Sequence, residues 1–179
     1  MENNDDIPLE AVDEFHRGQV LFIERKFEEA VASFTKAIEL GWWDAESYGM
    51  RGKSYCEQRE FDLAIADLTK AIEIFNGDRD FIAEVDQTEM YRVRGIAHRE
   101  NADYQSAMAD FSKTIEIYES DDEGYFSDDV KASPYFSRGN LHKQLGNKKE
   151  AIADYEQAVK LNPDVERYVE ALEEARGAS

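Results

Sequence analysis

The chain has 179 residues, 42% of them hydrophobic, which is long and apolar enough to bury a continuous core and too apolar for a disordered tail. Its 21 lysines and arginines against 40 aspartates and glutamates leave a net charge of −19. Such a field repels phosphate backbones and anionic lipid, so no nucleic acid and no membrane partner is expected, and a basic or mixed-charge protein is favoured. Cys56, the single cysteine, rules out an intrachain disulfide. No apolar run reaches the ~18 residues of a membrane span. The acidic start, Met1 to Asp6, lacks the basic and apolar stretches of a signal peptide, which predicts a cytoplasmic protein.

Residues 1–9 read as an acidic arm. Beyond them, four columns recur in register. Arg-Gly occurs at Arg17-Gly18, Arg51-Gly52, Arg94-Gly95 and Arg138-Gly139. Twelve residues after each glycine stands an alanine: Ala30, Ala64, Ala107 and Ala151. Four further on comes a large apolar residue, Phe34, Leu68, Phe111 or Tyr155. Then Ala37, Ala71, Thr114 and Ala158 are each followed by Ile38, Ile72, Ile115 or Val159. Apolar positions such as Ala64, Ile65, Leu68, Ala71 and Ile72 trace one face of an α-helix. The small column lets two helices approach, with Gly52 placed where Ala64 and Leu68 must pack. A lone helical hairpin cannot bury such a face, so the chain is expected to be all-α, with its hairpins stacked on one another.

The glycines are 34, 43 and 44 residues apart, and the first spacing is the unit length of the tetratricopeptide family. The small and large columns resemble that family's pattern. An aromatic residue stands four before the glycine at Tyr48, Tyr91 and Tyr135; the first repeat has Glu14 there, beside Phe15. The family's proline after the second helix survives only at Pro163. The resemblance implies a right-handed superhelical solenoid of four tetratricopeptide helix pairs plus a C-terminal capping helix. It places an array over residues 10–163, with repeats at about 11–44, 45–78, 88–121 and 132–163, and the capping helix and tail in 164–179. Val165, Tyr168, Val169 and Leu172 would face inward from that cap, and Glu166, Glu170, Glu173 and Glu174 outward.

Two insertions lengthen the period. The first, at 76–87, reads as a turn followed by an early start to the next helix, capped by Asp80. The second, at 120–131, is acidic and is expected to be a mobile loop, ending where Ser133-Pro134 offers a helix cap and an N1 proline.

No P-loop, nucleophile elbow, dinucleotide fingerprint or Cys/His metal spacing appears, so no enzyme activity, cofactor or metal is expected. His98 and His142 stand in a column held elsewhere by Leu21 and Tyr55, which predicts half-buried packing residues. Sixteen residues after three of the arginines stand Asp67, Asp110 and Asp154, predicting the ion pairs Arg51–Asp67, Arg94–Asp110 and Arg138–Asp154. Ser33 replaces the aspartate in the first repeat and leaves Arg17 without that partner.

The family resemblance also implies a concave groove lined by the first helices. Mapped here, its lining is Val12, Phe15, Gln19 and Phe22, then Met50, Lys53 and Cys56, then Arg92, Ile96 and Arg99, and lastly Phe136, Asn140 and Lys143. The basic members suit carboxylates or carbonyls of an extended peptide, and Gln19 and Asn140 suit its amides. A known subgroup grips acidic chaperone tails through a lysine/asparagine/arginine clamp. The matching positions here hold Phe15, Gln19, Met50, Glu89 and Val93, so that clamp is absent. Trp42-Trp43, at the first inter-repeat turn, offers one staple and one anchor. The expected function is a non-catalytic protein-protein interaction module, an adaptor or scaffold that binds a peptide or small domain in the groove. The alternatives are self-assembly through an apolar N-terminal stripe, covered otherwise by Ile7, Pro8 and Leu9, and docking of a basic partner on the acidic loop.

Overall fold

A computed structural model of the chain describes residues 8–41, 45–75, 81–121 and 124–177, with the side chains of 81–86 left aside. The described residues are helical throughout apart from turns, and they fall into two compact units, residues 1–101 and 102–179. The first unit holds α1 (Leu9–Ile23), α2 (Phe27–Glu39), α3 (Ala45–Glu57), α4 (Phe61–Phe75) and α5 (Phe81–Glu100). The second holds α6 (Tyr104–Glu119), α7 (Asp128–Gln144), α8 (Lys148–Leu161) and α9 (Glu166–Gly177). Within the first unit, α1 pairs with α2 and α3 with α4, and α5 packs on α4 and α3. Within the second, α7 pairs with α8, while α6 packs on α7 and α9 on α8. The expected class, all-α with paired helices and a closing helix, is therefore the observed one. Trp42, Trp43, Ile7 and Asp80 lie outside the described residues.

Each pair is set by its glycine. A Cβ built on Gly18 would stand 2.6 Å from the Phe34 ring, one on Gly52 2.8 Å from Leu68 Cγ, and one on Gly139 2.8 Å from the Tyr155 ring. Real Cβ atoms do not come so near, so only glycine lets the large residue of the second helix lie against the first. Phe34, Leu68, Phe111 and Tyr155 are all fully buried, with Ala30, Ala64, Ala107 and Ala151 beside them.

The turns within the pairs share one geometry. Arg25, Arg59, Ala102 and Gly146 all have φ between 59° and 78°. Each stands seven residues after its glycine. Lys26, Glu60 and Asn147 then donate backbone N–H groups to Leu21, Tyr55 and His142 carbonyls, at 2.9 Å each, which caps the preceding helix. Only the last of these left-handed positions is occupied by glycine, so the other three carry strain.

The second insertion differs from expectation. α7 begins at Asp128, after Ser127, and Pro134 lies inside it, fully buried. Asp128 and Asp129 supply the acidic first turn that favours a helix start there, and Asn162 donates to Asp129 at 2.7 Å. The proline has no N–H to offer the preceding turn, but burial in the second unit holds the helix through it. The described residues before it are tied to one another. Asp121 accepts from the backbone N–H groups of Tyr125 and Phe126, both at 3.0 Å, and pairs with Lys131 at 3.0 Å. Phe126 packs edge-on against Tyr118, with ring centroids 4.6 Å apart.

Two substitutions test these constraints in opposite directions. Gly52→Ala improves helix propensity by about 1 kcal/mol but overpacks Leu68 and the Ala64 carbonyl, costing about 1–3 kcal/mol, so a lower urea midpoint is expected. Ala102→Gly relieves a left-handed residue and should raise stability by about 0.5–1 kcal/mol in the same titration.

Candidate functional site

The arginine column builds structure first. Arg51 donates Nε and Nη2 to the Asp67 carboxylate at 2.6 and 2.8 Å, and Arg138 does the same to Asp154 at 2.9 and 2.7 Å. Both aspartates are buried, and each guanidinium is held further above its already high pKa by the aspartate's hydrogen bonds. Each arginine has a third bond that the sequence reading missed. Arg51 donates to Thr35 Oγ1 at 3.1 Å and Arg138 to Ser112 Oγ at 3.2 Å, hydroxyls carried by the second helix of the preceding repeat. Arg94 makes the corresponding bond to Thr69 Oγ1 at 3.0 Å. Arg94 and Asp110 belong to different units. The signal was present in the sequence, since Thr35, Thr69 and Ser112 share a column seventeen residues after Gly18, Gly52 and Gly95. The tyrosines complete the set: Arg51, Arg94 and Arg138 lie over Tyr48, Tyr91 and Tyr135 at 5.4–5.7 Å.

The first repeat is built otherwise. Lys36 replaces the arginine's role, bonding Glu10 at 2.8 Å and Glu14 at 2.9 Å. The Lys36 hydrogen bond is the main cause that holds the Glu14 carboxyl below its ordinary range, and Ser33 adds a further bond. Arg17, which lacks the aspartate partner of the other repeats, meets Glu14 one turn back instead, at 3.8 Å.

A cavity of about 670 Å³ opens in the first unit between α1, α3 and α5. Helical spacing explains its lining. Met50, Lys53 and Cys56 recur every third residue of α3, and Glu89, Arg92, Val93, Ile96, Arg99 and Glu100 follow one face of α5. Phe22 closes the α1 side, and Glu57, Arg59 and Phe61 close the turn end. Seven of the expected groove residues thus come together: Phe22, Met50, Lys53, Cys56, Arg92, Ile96 and Arg99. Phe15 does not. It is buried against Phe34, with ring centroids 5.8 Å apart, because it takes the inward position beside the aromatic column that Glu14 vacates. Gln19 lies half-buried and donates to Glu46 at 3.2 Å.

The cavity lining mixes apolar and charged side chains. Glu89 receives Arg92 Nε and Nη2 at 2.6 and 2.7 Å. Burial works against its charge, but Arg92, with Lys53 nearby, keeps the carboxyl below its ordinary value. Arg99 donates to Glu100 at 2.8 Å, and Arg59 reaches the same carboxylate at 3.7 Å. Four cations and three carboxylates therefore ring the opening, a local excess of positive charge in a strongly acidic chain. Burial pushes the Cys56 thiol up to about 12, so it is not a nucleophile.

Three further expected residues lie in the second unit, Phe136 and Lys143 against α9 and Asn140 against α8. Phe136 packs on Tyr168 with centroids 4.8 Å apart, Lys143 pairs with Glu174 at 2.7 Å, and Asn140 accepts from the Tyr155 hydroxyl at 2.9 Å. Asn140 is half-buried, and its amide oxygen is taken by Tyr155. His98 and His142 are half-buried, as their column predicts. Among the described residues no group of three His, Cys, Asp or Glu is placed to hold a metal ion, and no helix is long and apolar enough to cross a membrane.

Paired helices packed through a glycine column, with arginines tying each repeat to the one before, define a helical-repeat protein. The sequence matches the models described as tetratricopeptide repeat at residues 15–40, 45–78 and 132–165, and the chain belongs to that family. No curated protein sequence matches it. Solved structures share its fold at low identity. YrrB, described as a TPR protein with an unusual peptide-binding site, aligns with TM-score 0.72 at 20% identity over 90% of this chain and 73% of that one. MamA aligns with TM-score 0.71 at 19% identity, over 90% and 83% respectively. BtubC from P. vanneervenii aligns with TM-score 0.77 at 14% identity, over 86% and 63%.

The inward-turned Asp121 yields a pH prediction. Backbone hydrogen bonds from Phe126, then the Lys131 contact, hold its carboxyl below the ordinary aspartate value of about 3.9. A depressed carboxyl contributes its stabilisation fully above the ordinary value and loses it as pH falls through the folded one. Amide exchange at Tyr125 and Phe126, corrected for intrinsic rates, should stay slow down to about pH 4 and lose protection below it. Asp121→Asn should remove that acid transition.

Proposed function

We propose that the protein is a non-catalytic interaction module, an adaptor or scaffold, that holds an extended segment of another protein in the cavity between α1, α3 and α5. One observation carries this reading: the cavity lining combines apolar side chains with more cations than carboxylates, in a chain whose overall charge is strongly negative. Phe22, Met50, Val93 and Ile96 suit an apolar side chain, while Lys53, Arg92 and Arg99 suit a carboxylate or backbone carbonyls beside it. The glutamates that pair with Arg92 and Arg99 hold the guanidinium groups in place, which lowers the ordering cost of a second hydrogen bond to ligand. The peptide-binding site described for YrrB, on the same fold, supports this use of the family's architecture. A cytoplasmic setting fits the single, half-buried free thiol.

The acidic segment at 120–131 is less suited to docking a basic partner, because Asp121 is satisfied internally. Self-association through the N-terminal repeat is the second reading, favoured by the exposed apolar side chains of α1.

Selection from a random peptide library should enrich sequences with an acidic residue beside an apolar one. Lys53→Glu/Arg99→Glu should weaken the selected peptides at least tenfold, about 1.4 kcal/mol, with helicity unchanged by circular dichroism. Equal binding by the variant, or no enrichment, overturns the groove as the working surface.

A further inference from the structure

α1 has two apolar faces. Ala11, Phe15, Gly18 and Leu21 are buried against the rest of the first unit. Leu9, Val12, His16, Val20 and Ile23 lie on the far side, within about 80° of the helix circumference at 100° per residue. Ile23, Leu9 and Val20 are 79%, 74% and 55% exposed, the three most exposed large apolar side chains among the described residues. Val12 is half-buried and His16 exposed. α9 does the reverse, turning Glu166, Glu170, Glu173 and Glu174 to solvent. The outer face of an end helix in a repeat array stays soluble by being polar. Among the described residues α9 has a polar outer face and α1 an apolar one, and an apolar stripe of this kind marks a contact.

We infer that this face of α1 packs antiparallel on α1 of a second copy of the chain, about a twofold axis through His16. The stripe is symmetric about that residue: Leu9 and Ile23 stand seven residues to either side, and Val12 and Val20 four. An antiparallel pair therefore sets Leu9 against Ile23 of the second copy and Val12 against Val20, apolar on apolar, with the two His16 rings meeting at the axis. The flank is self-complementary too. Asp13 and Arg17 border the stripe on one side, and reversal about His16 brings Arg17 within a turn of Asp13 of the second copy, twice over. Isologous contacts of this type require such self-matching of one patch. Glu24 and Glu10 of the second copy also come within a turn of each other, but each carboxylate is already paired, Glu24 with Lys26 and Glu10 with Lys36, both at 2.8 Å. A flank of opposite charges lets two strongly acidic chains approach at this face.

The reading sharpens the self-association alternative and is independent of the groove. A helix of 15 residues is about 22 Å long. One such pair covers less than the ~1,200–2,000 Å² of a standard interface, so a dissociation constant on the order of 10–100 μM is expected.

Sedimentation equilibrium of the full chain from about 1 to 500 μM tests it, a range that brackets a weak interface. Wild type should shift to twice the monomer mass. Val20→Asp, Ile23→Asp and Arg17→Asp, all at exposed positions, should each weaken the dimer at least tenfold with unchanged circular dichroism. The exchanged pair Asp13→Arg/Arg17→Asp should restore it, since the two ion pairs are only inverted. Lys53→Glu/Arg99→Glu should dimerise like wild type, and monomeric Val20→Asp should still bind the selected peptides, so the groove and the dimer fail or stand separately. Wild type monomeric over the whole range overturns the inference, and so does a dimer indifferent to all three single substitutions. Failure of the charge exchange to restore association overturns the antiparallel arrangement on which it rests.

Discussion

The distance between the two helices of a repeat is set where one glycine meets one large side chain. Gly18 on Phe34, Gly52 on Leu68 and Gly139 on Tyr155 leave no room for a single carbon, and each large partner is wholly buried. With the backbones that close, the arginine beside the glycine is carried to the aspartate one residue short of the large partner. The bidentate pairs Arg51–Asp67 and Arg138–Asp154 follow from this approach. So does the third bond, because a guanidinium fixed at the edge of its own pair points its remaining nitrogen at the helix behind. The same side chain that staples a repeat together therefore ties it to the previous one.

Departures from the columns mark the places where that logic has no neighbour to serve. The first repeat has no repeat before it among the described residues, and it drops the tyrosine and aspartate for Glu14 and Ser33, with Lys36 closing the gap. Arg17 is then released to the surface, where it borders the exposed stripe of α1. At the other end of the second unit, the hydroxyl column becomes Glu156, which accepts from Arg176 of α9 at 2.6 Å. In each case an ionic contact of different design replaces the repeated one.

The groove is a by-product of the same spacing. First helices that pack through small residues present their next face, one-third of a turn away, to open space. On α3 and α5 that face mixes apolar and basic residues, and the neighbouring glutamates hold the basic ones without neutralising the rim. An acidic protein thereby keeps one local surface suited to carboxylates.

Helix existence, pairing and the column of close contacts were legible in the sequence, because each depends on residues at fixed separations along one chain. Gly52 against Leu68 and Arg51 against Asp67 needed only a helical period and a hairpin. That seven of the expected lining positions share one cavity was legible for the same reason. What the sequence could not reach depended on which way a residue turned. Phe15 was placed in the groove by counting, but the vacancy left by Glu14 draws it inward, a choice made by packing volume. Asn140 was offered to a ligand and is taken by Tyr155. The acidic insertion looked mobile because its composition is polar, yet Asp121 finds two backbone donors and a lysine that no local pattern announces. Periodicity is a one-dimensional property and was determined by the sequence itself. The competition of side chains for shared space and shared donors is three-dimensional, and only the tertiary structure decided it.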